Sequence, residues 1–149
     1  MAALHPKLVC FQILALQAWF YVVLCLVLFL FHGIFGTPLS LEAILGSKGL
    51  SVTSAPGWTG ICLHVLTALV GCLLLVIIVE RSKKCLDFAA TLFIAHLCVV
   101  SAYEGLPTSW DWWIVEIVCL ALMTSLGEFL CSRRELRDIP LFSPVPTDG

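Results

Sequence analysis

The sequence predicts an all-α membrane protein of four transmembrane helices, with N- and C-termini both cytosolic. Three observations predict it. First, 60% of the residues are hydrophobic and only 12% are charged, whereas a soluble domain carries roughly 25% charged residues. Second, the apolar residues gather into four runs, each of a length that can cross a hydrocarbon layer of about 30 Å. Third, once four spans are drawn, Lys7, Arg81, Lys83, Lys84, Arg133, Arg134 and Arg137 share one side, and Lys48 alone lies on the other. Basic residues collect on the cytosolic side of membrane proteins, so that side holds both termini and the central hinge. The whole chain, 1–149, reads as one membrane domain with a cytosolic tail from 132 to 149.

Span 1 is expected over about 8–31. It is longer than the apolar region of a signal peptide, which is about 7–15 residues. Gln12 and Gln17 interrupt it, and an unsatisfied amide in lipid is costly. Both are therefore expected to face other helices. His32 to Gly57 is rich in Gly, Pro, Ser and Thr and reads as a long loop. Within it, Leu39 to Gly46 fits a short interfacial helix with Ser40 as N-cap. Span 2 is expected over about 59–79. His64, Thr67 and Gly71 fall on one face of it at i, i+3 and i+7. Thr67 and Gly71 are a pair of small residues suited to close helix approach.

Glu80 to Lys84 is a five-residue hinge, short enough to force spans 2 and 3 into an antiparallel hairpin. Span 3 is expected over about 86–103. Gly105 to Ser109 reads as a tight turn. Trp110, Trp112 and Trp113 then resemble an aromatic belt at a membrane interface. Span 4 is expected over about 112–131, with helix extending through the basic collar toward Ile139, because Pro140 disfavours helix at the residue before it.

Several function classes are excluded or weakened. No basic patch of the size needed for nucleic acid is present. No phosphate-binding glycine loop, H-E-x-x-H or G-x-S-x-G motif occurs, so an enzyme is not expected. Neither is a cofactor, a metal site or a small-molecule substrate. Of the eight cysteines, six lie inside apolar runs and no C-x-x-C pair occurs. Cys85 and Cys131 sit at a membrane edge beside basic residues and are the candidates for lipidation, with simple burial as the competing reading. The chain holds no asparagine, hence no N-glycosylation acceptor.

The polar residues inside the spans, Gln12, Gln17, His64, Thr67, His96 and Glu116, are expected to serve interhelical packing. His64 could relay protons, but nothing near it in sequence completes a relay. Asp87 and Glu128 approach the cytosolic surface near Lys83, Lys84, Arg133 and Arg134. They could form salt bridges that fasten spans 3 and 4, or a surface for a partner. Glu104 lies at the opposite edge.

These residues carry a resemblance. Cys85-Leu86-Asp87-Phe88, His96-Leu97, Trp112-Trp113, Cys119 to Met123, Gly127-Glu128, Glu135-Leu136 and Asp138 to Leu141 resemble the Sys family of Golgi integral membrane proteins. Pro6, Gln12, Gln17 and Tyr21 match its spacing in span 1, and Ala43 to Gly46 with Pro56-Gly57 resemble its lumenal loop. The resemblance implies a four-span receptor in the trans-Golgi membrane. Its implied partner, besides the lipid bilayer, is an Arf-related small GTPase with an acetylated N-terminus, and its implied role is traffic between endosomes and Golgi. The expected docking surface comprises Lys83, Lys84, Asp87, Phe88, Glu128, Arg133, Arg134, Glu135, Leu136, Ile139 and Pro140. Asp87 is the foremost of these, because an acid at a membrane edge is costly unless something uses it. The alternative is a small proton-coupled transporter or channel subunit using intramembrane carboxylates. The sequence leaves the oligomeric state open.

Overall fold

The computed structural model describes residues 6–79 and 82–137. Four long helices dominate them: α1 (Pro6–Phe35), α3 (Ala55–Ile78), α4 (Cys85–Glu104) and α5 (Trp110–Arg137), with the short α2 (Leu41–Leu45) between the first two. At 1.5 Å per residue the long helices measure about 45, 36, 30 and 42 Å, enough for each to cross a bilayer. Composition agrees, since all four are apolar enough to be membrane spans. Their outward faces are greasy: Phe11, Ile34 and Ile77 are each about 70% exposed. Large apolar patches of this kind are unsuited to water and suited to lipid.

Each helix boundary has a local cause. α1 continues to Phe35, beyond the expected stop at 31, and ends where Gly36 takes φ +69° and donates its N–H to the His32 carbonyl at 2.9 Å. Glycine enters this left-handed region without steric penalty. Ser40 caps α2 as expected, its Oγ accepting the Ala43 N–H at 3.2 Å. Ser54 caps α3 in the same way through Gly57 N–H at 3.2 Å, with Pro56 in the first turn. α3 thus begins at Ala55, earlier than the expected 59. Gly57 has a second role: a Cβ there would run into the Ser51 backbone. α4 ends at Gly105, φ +94°. The following turn is fixed by the Trp113 indole N–H, which donates to the Pro107 carbonyl at 3.1 Å. α5 runs through the basic collar to Arg137, the last described residue. Asp138, Ile139 and Pro140 lie outside the described residues.

The tryptophans divide. Trp110 is 83% exposed and fits an interfacial belt, but Trp112 is 1% exposed. Trp112 meets Trp113 edge-on at 5.1 Å and lies beside Phe93 of α4. It is a core residue, contrary to the expectation of a belt, because it shares the inward face of α5 with Val115, Glu116 and Cys119 at helical spacing.

α3 and α5 share the most extensive interface. Gly71 and Gly127 make it close: a Cβ on Gly71 would sit 3.0 Å from Met123 Sδ, and one on Gly127 would sit 3.5 Å from Leu75. Thr67, also buried here, turns its hydroxyl to its own helix at the Leu63 carbonyl, 2.8 Å. Around this interface lie three apolar clusters. One, at the hinge end of the bundle, gathers Leu75, Val79, Cys85, Phe88, Met123 and Cys131. A second, toward the loop end, holds Leu50, Val100, Trp112 and Val115. The third joins α1 to α3 through Leu24, Val27, Leu28 and Leu63.

Candidate functional site

Two places in the bundle concentrate polar chemistry. The first is buried. His64 of α3, His96 of α4 and Glu116 of α5 converge although they are far apart in sequence; all three are no more than 6% exposed. The Glu116 carboxylate oxygen Oε1 lies 3.7 Å from His64 Nε2 and 3.8 Å from His96 Nε2. Both distances exceed hydrogen-bond length. The outer nitrogens of the rings are occupied. His64 Nδ1 lies 2.9 Å from the Gly60 carbonyl, and His96 Nδ1 lies 3.1 Å from the Tyr21 hydroxyl of α1.

These contacts restrict the protons. A carbonyl can only accept, so His64 Nδ1 carries the hydrogen, and in the neutral ring Nε2 presents a lone pair. That lone pair faces another acceptor, Glu116 Oε1. Glu116 Oε1 and His96 Nε2 are both buried and make no hydrogen bond. Each unsatisfied buried group costs about 1–3 kcal/mol. A cavity of about 30 Å³ lies among His64, His96, Glu116, Cys119 and Phe20. Toward α1, the polar chain extends through Tyr21 to Gln17, whose two side-chain amide atoms are buried without partners. Gln12 is satisfied, its amide donating to the Ile78 carbonyl at 3.2 Å.

Sequence reasoning treated these residues separately, as packing groups. Nothing near His64 in sequence completes a relay. The structure brings His96 of α4 and Glu116 of α5 to it from elsewhere in the chain. α5 starts at Trp110, so Glu116 lies about 9 Å along it, while His64 and His96 lie about 14 and 12 Å from the loop ends of their helices. The three meet well inside the bundle. No single-chain periodicity reveals which faces of three helices meet. The signal that could have found them was the presence of two histidines and a glutamate, each on a buried-type helix face, in a chain with few polar residues.

The second place is the hinge end. Ser82–Lys84 forms one 3₁₀ turn before α4. Glu135 of α5 holds it by accepting from Ser82 N–H at 3.1 Å and Ser82 Oγ–H at 3.0 Å. Arg134 donates to the Val76 carbonyl at 3.1 Å, and the Arg133 guanidinium lies 4.8 Å from the Phe129 ring centre. Asp87 and Glu128 are exposed and have no ion-pair partner among the described residues. The expected fastening of α4 to α5 by these two acids is therefore absent among the described residues, and Glu135 does the fastening instead. Lys83 and Leu86 are exposed as well, Lys84 is half-buried, and Leu136 is 64% exposed. Phe88 is a correction: at 6% exposed it belongs to the apolar core and presents nothing to a partner. Ile139 and Pro140 fall outside the described residues.

Cys85 and Cys131 are buried and face each other with sulfurs 3.5 Å apart, and the Cys131 thiol donates to the Val79 carbonyl at 3.3 Å. As placed, neither thiol is open to an acyl donor. At the loop end Glu104 accepts the Ser47 N–H at 2.7 Å and pairs with Lys48 at 3.4 Å, tying the long loop to α4.

Comparison with known proteins gives this architecture a family. The family model SYS1, described as "Integral membrane protein S linking to the trans Golgi network", matches residues 1–141. A SYS1 homolog of Dictyostelium discoideum is 37% identical over 139 residues, 93% of this chain and 60% of that protein. The chain thus spans about three-fifths of that relative's length. A SYS1 homolog of Nematostella vectensis is 39% identical over 134 residues, 90% of this chain and 85% of that protein. SYS1 of Saccharomyces cerevisiae is 29% identical over 137 residues, 91% of this chain and 68% of that protein. No solved structure matches. With four helices able to span a membrane and the family model matching from residue 1 to residue 141, the chain belongs to the SYS1 family and is a multi-pass membrane protein of the trans-Golgi network.

Proposed function

We propose that the chain is a non-catalytic membrane receptor that recruits an Arf-related small GTPase to the trans-Golgi, supporting traffic between endosomes and Golgi. The hinge end of the bundle, facing the cytosol, is the receiving surface. The observation that carries this reading is Asp87, an exposed acid at a helix start with no ion-pair partner among the described residues. An acid at the first turn is favoured by the helix dipole, but it remains open to an incoming cation. Around it stand Lys83, Lys84, Glu128, Arg133, Arg134, Glu135 and Leu136, on a turn made rigid by the Ser82–Glu135 bonds. Ile139 and Pro140 complete the expected surface in sequence.

The partner logic is physical. A single weak hydrophobic anchor binds membranes marginally, and a second signal makes attachment stable. Acetylation of the partner's N-terminus removes a charge, which lowers the cost of placing that end against an apolar surface such as Leu86 and Phe129. Pull-down of tagged wild-type chain beside Asp87→Leu tests the assignment. The expected result is one Arf-related GTPase enriched with wild type and lost with the variant, at equal protein level and Golgi location. Retention in the variant would move the site to the collar and tail.

The buried His64, His96 and Glu116 cluster favours a second reading, a proton-coupled transporter. Vesicles reconstituted with wild type or Glu116→Gln separate the two. A transporter loses proton-driven flux on substitution, whereas a receptor has none to lose.

A further inference from the structure

We propose that His64, His96 and Glu116 bind one divalent transition-metal ion of the zinc class inside the bundle, clamping α3, α4 and α5 together. The three ligand atoms are one oxygen and two imidazole nitrogens, all within 4.8 Å of one another and all from buried residues. Imidazole and carboxylate are ordinary zinc ligands, with bonds of about 2.0–2.2 Å. Tetrahedral placement at that length sets ligand atoms about 3.4 Å apart. The observed separations of 3.7 and 3.8 Å need only a small inward closure on those two edges.

Three further observations point to a cation. His64 Nδ1–H is committed to the Gly60 carbonyl, which leaves the Nε2 lone pair aimed at Glu116. Glu116 Oε1 and His96 Nε2 are buried and make no hydrogen bond, so two of the three would-be ligand atoms are free to take a cation. The outer contacts also match a metal site. Ligating histidines commonly donate their second N–H to a carbonyl or other acceptor, which fixes ring orientation. Gly60 does this for His64, and the Tyr21 hydroxyl is placed to do it for His96. The cavity of about 30 Å³ among the three leaves room for one water as a fourth ligand. An approach also exists. His64 lines a larger cavity of about 480 Å³ toward the loop end, whose wall includes Thr37, Ser40 and Glu42.

The full chain, purified without a polyhistidine tag in lipid nanodiscs, is incubated with Zn²⁺ and passed over a column with a weak chelator. Elemental analysis is expected to find about one zinc per chain in wild type and background in Glu116→Gln and His96→Gln. Tyr21→Phe removes only the support of His96, and is expected to bind about 10- to 100-fold more weakly in a competition titration. Co²⁺ in place of Zn²⁺ gives visible ligand-field absorption in wild type that Glu116→Gln lacks. Wild type without zinc and without a cobalt spectrum overturns the proposal. Zinc retained in both Glu116→Gln and His96→Gln overturns it as well, by placing the ion elsewhere. If Glu116→Gln aggregates, His96→Gln and the wild-type cobalt spectrum decide the matter alone.

Discussion

Gly71 shows how much one missing methyl group matters in this bundle. It lies on the face of α3 that meets α5, with Met123 Sδ 3.0 Å from where a Cβ would stand. Methionine is flexible, so Gly71→Ala is expected to be tolerated by a shift of Met123. Gly71→Val adds branched bulk that the shift cannot absorb. Overpacking of this kind costs about 1–3 kcal/mol. Thermal unfolding in detergent should show a lower midpoint for Gly71→Val and partial recovery when Met123→Ala is added. No change in Gly71→Val would mean that the helices do not approach through this pair. The small-residue pattern that marks Gly71 was legible in the sequence, because spacing alone puts Thr67 and Gly71 on one face. Its partner Met123 was not, because it belongs to another helix and nothing in one sequence gives the rotation of α5.

Elements were legible where local chemistry writes their ends. Ser40 and Ser54 cap α2 and α3 with their own hydroxyls, and such caps depend on a few adjacent residues. The long apolar runs gave the four helices for the same reason. What escaped was the contact between elements. The hinge is the clearest case: Asp87 and Glu128 looked like the fastening acids by position, yet the carboxylate that holds the turn is Glu135. Its reach depends on α5 continuing as helix past the membrane edge to Arg137. Glu135→Ala is expected to loosen the Ser82–Lys84 turn while leaving the bundle intact, because the lost bonds are exposed and worth about 1 kcal/mol together. Limited trypsin digestion in nanodiscs should then cut after Lys83 or Lys84 several-fold faster than in wild type, with an unchanged unfolding midpoint. Equal cleavage rates would show that the turn is held by packing and not by Glu135.

At the scale of the whole molecule the two polar places lie in opposite halves of the bundle. The exposed acids and arginines stand at the hinge end, and the histidine–glutamate cluster lies toward the loop end, with the apolar cluster of Leu75, Phe88 and Met123 between them. That separation gives a direct physical meaning to orientation, because a receptor surface must face the cytosol. Basic residues argue for this: the hinge and collar carry Lys83, Lys84, Arg133, Arg134 and Arg137, whereas the loop between α1 and α3 carries Lys48 alone. Lys48 is moreover paired with Glu104 at 3.4 Å, which further reduces positive charge on that side. The chain contains no asparagine, so an introduced N-glycosylation acceptor is read against a silent background. An Asn-Gly-Thr acceptor inserted after Gly49, in the exposed stretch following the Lys48–Glu104 pair, is expected to be glycosylated in cells and to run as a larger species that glycosidase restores. The same acceptor, set in a flexible spacer after Gly149, is expected to remain unmodified, since the glycosylating enzyme works only on the lumenal side. The opposite pattern would put Asp87 and the arginine collar in the lumen, out of reach of any cytosolic GTPase, and would leave the buried cluster as the place where function must be sought.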